Sequence, residues 1–369
     1  MLPQPGARAA ALAPPRAYGE PPARAMLRGE PEDFQVEEDL GFAPSGSGQH
    51  LLLKVRKRNA NTQWVARQLA AAAGCRAADV GYAGLKDRLA VAVQWFSVPR
   101  GRAAVRWDEV GTEEFAVLES HPHGRKLPRG ALAANRFSVR LRAADRDGGR
   151  LATALGPRLE LIARCGVPNY FGPQRFGREA ANLAGAPDAP GGGRERRGFA
   201  LSAARALVFN AVLAARVREA SWNHLLPGEL AALDGRGSIF AVPAPDAALT
   251  TRCMRLEIHP TGPLWGAAEP GTGGEVLALE KQVAVELAAY CARCVHAGMR
   301  QERRSLRLAV RELLLTPEGD AVVLRFRLAR GAFATAVLRE LVEPPDGLQP
   351  CDSSTYSAPV PPSTGRADT

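Results

Sequence analysis

The chain is 369 residues long and carries 48 Lys and Arg against 38 Asp and Glu, a net charge of +10. Its apolar share of 46% excludes a disordered chain, and its six cysteines lack the spacing of a disulfide-stapled secreted scaffold, so reduced thiols are expected. The length is enough for two domains, no uninterrupted apolar run reaches the roughly 18 residues of a membrane span, and the basic excess points to a polyanionic partner.

Residues 1–20 are rich in Pro and Ala without the apolar core of a signal peptide, so a disordered leader is expected. Strand-like sequence begins near Phe34 and resumes at 50–55. Asn61 or Thr62 can cap a helix with Trp64, Val65 and Leu69 on one face, which Gly74 ends. Two strands flank a turn at 84–90, another lies near 115–118, and 136–142 (RFSVRLR) alternates Phe137, Val139 and Leu141 with Arg and Ser. One apolar and one basic face is the pattern of a half-buried strand lining an RNA groove. A helix is expected over 150–165, an exposed flexible loop at 185–198, a helix capped by Ser202 and running to about 220, and a second long helix at 276–298. Segments 305–310 and 322–328 read as hairpin strands around the turn at 317–320. A helix over 332–342 packs Phe333, Val337 and Leu341, and a disordered tail follows from 344. Strands at both ends around a more helical block suggest an insertion. The expected division is a leader at 1–20, a discontinuous sheet domain at 21–160 and 308–343, an inserted domain at 161–307, and the tail at 344–369.

Two windows hold no acidic residue, 40–78 with Lys54, Arg56, Lys57, Arg58, Arg67 and Arg76, and 120–144 with Arg125, Lys126, Arg129, Arg136, Arg140 and Arg142. Together they suggest one continuous basic surface for nucleic acid. No HExxH, P-loop or GxSxG motif is present, and Cys291-x-x-Cys294 with His296 lacks a second metal-ligand pair. The most informative stretch is 80–98, VGYAGLKDRLAVAVQWFSV, where Asp87 stands between Lys86 and Arg88 at a junction of strands. Flanking cations favour an ionised carboxylate, and a fixed, ionised Asp can act as a nucleophile. The same triplet also reads as a solvated turn with a surface ion pair of little energetic weight.

GYAGLKDRLAVAVQWFSV together with NYFGPQRFG at 169–177 resembles the TruD family of tRNA pseudouridine synthases. Further similar blocks occur in order: PEDFQVEEDLG (31–41), RKLPRGALAANRFSV (125–139), LSAARALVFN (201–210), GRGSIF (235–240) and RLARGAFATAVLREL (327–341). The resemblance spans about residues 27–342. It implies an α+β fold, with a pseudouridine synthase-type catalytic domain around a mostly antiparallel sheet and an inserted α/β TRUD-type domain. It implies Asp87 as nucleophile and Phe34, Asn135 and Phe333 as contacts to the target nucleotide. Phe137 is a further pocket candidate, and Lys86 and Arg88 either hold phosphate or keep Asp87 ionised.

The implied reaction turns a uridine of tRNA, at position 13, into pseudouridine. Product and substrate are isomers, so no redox partner, metal or nucleotide cofactor is required. The expected protein is a cytoplasmic monomer whose partner is tRNA, with no membrane and no metal. Two other readings compete: a non-catalytic RNA-binding or RNA-folding protein with the same basic cleft, and an Asp-dependent hydrolase of a ribose compound. NYFGPQRFG either binds RNA across an interdomain cleft or forms a tight turn with its aromatics packed inside. The family more often has Thr at the position of Ala92 and a doubly basic pair in place of Arg88-Leu89; neither departure touches the nucleophile.

Overall fold

The computed structural model describes residues 6–101, 104–184 and 194–343. The expected tail and residues 185–193 of the expected loop lie outside the described residues. Helix α1 (Ala7–Leu12) is followed by strands β1 (Ala23–Leu27), β2 (Phe34–Asp39) and β3 (His50–Arg58) and helix α2 (Thr62–Ala73). Strands β4 (Gly81–Tyr82), β5 (Val91–Pro99), β6 (Phe115–His123) and β7 (Ala134–Ala143) lead into helix α3 (Gly148–Cys165). The middle of the chain holds β8 (Val167–Pro168), α4 (Ala181–Ala184), α5 (Arg194–Arg218), β9 (Glu229–Leu233), β10 (Ile239–Val242), α6 (Ala247–Met254), β11 (Ile258–Leu264), α7 (Gly274–Glu286), α8 (Ala288–His296), β12 (Glu302–Ser305) and β13 (Arg307–Leu308). Strands β14 (Arg311–Glu318) and β15 (Ala321–Ala329), helix α9 (Ala334–Leu341) and β16 (Val342–Glu343) close the described chain.

The fold is α+β. A ten-stranded sheet runs in the order β14-β15-β7-β2-β5-β3-β6, with β1, β4 and β16 paired at its flanks. It is mostly antiparallel; β2 runs parallel to β5, and β1 to β16. The alternation read from 136–142 explains one face: Phe137, Val139 and Leu141 are buried while Arg136, Arg140 and Arg142 point the other way. Phe137 lies opposite Val36 on β2 and Phe326 on β15, so apolar residues of three strands form one layer. Helices α3 and α9 cover that layer with Leu155, Ile162, Val337 and Leu341. Helix α2 covers the neighbouring part of the sheet with Val65 and Leu69, and Gly74 ends it at φ +63° as expected. A separate sheet, β10-β9-β11-β12, belongs to the middle of the chain and packs beside α5.

Several expectations are corrected. The leader is ordered from residue 6, because Ala10 and Ala11 are buried against α5 and Asn210 Nδ2 donates to Ala11 O at 3.1 Å. Ser202 does not cap its helix, which already begins at Arg194; its Oγ instead accepts from Arg175. The long helix at 276–298 is two helices, broken at Leu287. Segment 305–310 is not the hairpin strand. Ser305 ends β12 in the second sheet, and β14 is the true partner of β15. Helix α3 keeps Ile162 in the core of the large sheet. The chain's path out and back is marked by the β8–β13 pairing. Over Arg196–Arg218 helix α5 matches a membrane span in length and composition, yet 78% of its apolar window is buried within the molecule.

Candidate active site

Residues 83–90 join β4 to β5 and carry Lys86, Asp87 and Arg88. Buried polar groups beneath the loop hold its backbone. Gln94 Nε2 donates to Gly84 O at 2.6 Å, and Thr62 Oγ1 bridges Gln94 Oε1 at 3.1 Å and the Lys86 amide at 3.1 Å. Lys57 Nζ donates to Asp87 O at 2.7 Å and to Ala60 O at 2.8 Å. Lys57 is fully buried, and burial pushes its ammonium down to about 8, with the Asp87 charge opposing that shift. Three hydrogen bonds, at Gly84 O, Lys86 N and Asp87 O, thus fix a turn that its own sequence leaves open, while the Asp87 side chain stays 41% exposed.

The counter-charge of Asp87 is Arg28, whose Nη2 donates to Asp87 Oδ2 at 2.9 Å. The Arg28 guanidinium also lies 4.1 Å from the centroid of Phe34, so one planar cation contacts both Asp87 and Phe34. Lys86 does not serve Asp87: its ammonium pairs with the fully buried carboxylate of Glu38, which also accepts the Trp95 amide at 2.9 Å. Arg88 is exposed, and Leu85 and Leu89, 53% and 38% exposed, form an apolar rim on either side of Asp87.

The other expected residues divide. Phe34 is buried, meeting Phe137 edge-on at 6.0 Å. Phe137 stacks on Phe326 at 5.2 Å within the sheet layer and supports Phe34 from the core. Asn135 on β7 lies directly opposite Glu38 on β2, and its buried Oδ1 has no protein hydrogen-bond partner, an acceptor left for something else. Phe333 precedes α9, half-buried, five residues beyond the Leu328 that pairs with Asn135. Its ring lies 6.4 Å from Phe171, which connects it to NYFGPQRFG.

That motif is a packed turn. Tyr170 and Phe176 are buried, Phe171 packs on Phe209 at 5.5 Å, and Arg304 lies 4.4 Å above Phe171 while donating to Asn169 Oδ1 at 2.6 Å.

Much of the charge in the two cationic windows is paired with carboxylates. Arg136 pairs with Asp39 and Glu312, Arg140 with Glu318, Arg142 with Asp33, Arg58 with Glu32 and Lys54 with Glu37 and Glu119. The face of β7 read as an RNA contact is therefore neutralised by carboxylates from neighbouring segments. Arg125, Lys126 and Arg129 remain exposed on the β6–β7 loop. That loop is tied to the Asp87 segment by Gly130 N to Ala83 O at 2.7 Å and packs so closely that a side chain at Gly81 would meet Leu127 O at 2.5 Å. A groove of about 460 Å³ lies there, lined by Ala77, Ala78, Tyr82, Lys126 and Arg129, with the Arg129 guanidinium 3.8 Å from the Tyr82 ring centroid.

The family model described as tRNA pseudouridine synthase D (TruD) matches residues 16–185 and 197–341. The chain belongs to the TruD family. The chain is 47% identical over 334 residues to the tRNA pseudouridine synthase D of Nitrosococcus oceani, covering 88% of this chain and 92% of that one. It is 44% identical over 336 residues to the protein of that name from Methylococcus capsulatus, covering 89% and 94%. The fold is similar to a crystal structure from Methanosarcina mazei described as TruD, with a TM-score of 0.67 at 19% identity over 89% of this chain and 95% of that one.

Within this TruD chain, reading the sequence missed Arg28, Glu38, Lys57 and Gln94. For three of them a signal existed. Glu38 follows Phe34 and Val36, Lys57 follows Leu53 and Val55, and Gln94 follows Ala92, each continuing an apolar alternation with a polar residue. Arg28 carries no such mark.

Proposed function

We propose that this chain, a tRNA pseudouridine synthase by family, isomerises a uridine of tRNA, implied position 13, with Asp87 as nucleophile on an everted nucleotide. One observation carries the reading: a partly exposed carboxylate, paired to Arg28, stands on a loop whose backbone is anchored from below by Lys57, Gln94 and Thr62. Pre-organisation of that kind is what a nucleophile requires and a solvated surface turn does not.

The reaction breaks the C1′–N1 bond, turns the uracil and joins C5 to C1′. The hydrogen leaves C5 and N1 gains one, so atoms and electrons balance without a second substrate. Asp87 carries the covalent attachment between the two bond changes, and Arg28 stands at its oxygen to receive negative charge when the attachment is released. Bringing the base out of the RNA stack costs a few kcal/mol. The apolar rim of Leu85 and Leu89 and the half-buried ring of Phe333 can offset that cost. The unpaired Oδ1 of Asn135 suits the N3–H of uracil, a donor that cytosine lacks. The groove at Arg129 and Lys126, next to this loop, suits flanking phosphates and a stacked base. A tRNA substrate goes with a cytoplasmic location.

Asp87→Asn is the direct test. Pseudouridine mapped by chemical tagging in unmodified tRNA should disappear, while tRNA binding stays within about threefold of wild type, since phosphate contacts dominate affinity. Unchanged product formation in the variant refutes the nucleophile. Binding without product in the wild-type chain favours a non-catalytic RNA-binding protein, and release of free uracil favours a hydrolase.

A further inference from the structure

Lys57 is placed where a lysine is costly. It sits on β3 on the side that carries Leu53 and Val55, fully buried, and among the described residues its ammonium forms no ion pair with a carboxylate. Its two hydrogen bonds go to backbone carbonyls, those of Asp87 and Ala60. Removing an ammonium from water without a carboxylate partner is expensive, and an apolar residue of similar volume usually serves stability as well or better. Packing alone therefore gives no reason for a cation at this position. The two carbonyls give one, since both belong to segments that frame the site: Ala60 lies just before α2, whose Thr62 holds the Lys86 amide, and Asp87 is the candidate nucleophile.

We propose that Lys57 is a positioning residue for Asp87: its ammonium clamps the nucleophile's own peptide carbonyl to the start of α2 and supplies, from below the loop, a second positive charge to complement Arg28. The proposal rests on the reading of Asp87 as nucleophile. The clamp acts on the backbone of the reacting residue itself, so a small rotation of that peptide would move the carboxylate against the ribose. Displacements of about 1 Å in a reacting group cost on the order of 100-fold in rate. Arg28 cannot substitute, because it touches only the side-chain oxygen and leaves the peptide free to turn.

The test uses the full chain, unmodified tRNA transcript and the variants Lys57→Met, Lys57→Gln and Asp87→Asn. Lys57→Met should lower kcat about 100-fold with KM for tRNA within about threefold, because it displaces the reacting group and leaves RNA contacts alone. Lys57→Gln keeps an N–H donor without the charge and should regain about tenfold of that loss. The inference is overturned if folded Lys57→Met retains kcat within about threefold of wild type, if its loss lies in KM, or if the Gln variant recovers nothing. Should Lys57→Met fail to fold, Lys57→Gln decides: a kcat lowered about tenfold at constant KM supports the clamp, and an unchanged kcat overturns it. An active Asp87→Asn strikes the nucleophile itself, whereas an inactive Asp87→Asn beside a fully active Lys57→Met strikes only the clamp.

Discussion

Replacing Lys57 by Met should separate stability from activity, with a sign that depends on pH. In the folded chain burial lowers the Lys57 pKa from its ordinary 10.5 to about 8. The fold therefore prefers the neutral amine, and below pH 8 it carries the full penalty of a buried charge, about 3 kcal/mol for such a shift. Met removes that penalty but leaves Asp87 O and Ala60 O without their donor, each a loss of about 1–3 kcal/mol. The terms oppose, so at pH 7 the variant should lie within about 2 kcal/mol of wild type. As pH rises through about 8 toward 10.5, the wild-type lysine loses its proton in the folded state first. Wild type then gains about 2 kcal/mol relative to the variant between pH 7 and pH 10. Urea unfolding of both proteins at the two pH values measures this as a difference of differences, in which all other titrating groups cancel. A wild-type-minus-variant gap that stays constant with pH, or that moves in favour of the variant, would show that the ammonium is not held in a low-dielectric site and would refute the reasoning.

Arg28→Ala should lower kcat by about 100-fold with little change in tRNA affinity, and Arg28→Lys should recover part of it, because Lys restores the charge at Asp87 but not the planar contact with Phe34. Arg129→Ala should raise KM for tRNA, leave kcat unchanged, and flatten the dependence of log KM on log salt by about one phosphate contact, as measured from 50 to 200 mM salt. Glu229→Ala should destabilise the fold by about 3–5 kcal/mol in urea unfolding, because it strands Arg216, an ion-pair partner only 1% exposed that closes the turn after α5. The double variant Glu229→Leu with Arg216→Met should be far milder than the sum of its parts, since no lone buried charge remains.

Local chemistry made the elements legible. Alternation in RFSVRLR fixed the buried face of β7, and Gly74 ended α2 where a left-handed residue was needed. What was not legible depended on which strands become neighbours. Arg136, Arg140 and Arg142 look like an RNA-facing stripe until β14 and the segment before β2 bring Glu312, Glu318 and Asp33 beside them. Alanine at positions 10 and 11 looks like disordered leader until α5 offers a surface that buries both. Lys86 looks like the partner of Asp87 because it is adjacent in sequence, yet its ammonium turns away from it. The buried carboxylate of Glu38 captures it from the other side.

The same argument explains why this site is assembled from exceptions to the strand pattern. Glu38, Lys57, Gln94 and Asn135 each stand at a position where alternation calls for an apolar residue, and pairing puts all four on one face of adjacent strands β7, β2, β5 and β3. Singly, each polar intruder is a liability worth about 1–3 kcal/mol if left unsatisfied. Three of them reach the 83–90 loop, Glu38 through Lys86, Lys57 through Asp87 O and Gln94 through Gly84 O, so satisfying these buried groups and ordering the loop are coupled. The fourth, Asn135, keeps an oxygen without a protein partner. Its buried Oδ1 is the acceptor to which the proposed function assigns the N3–H of an everted uracil.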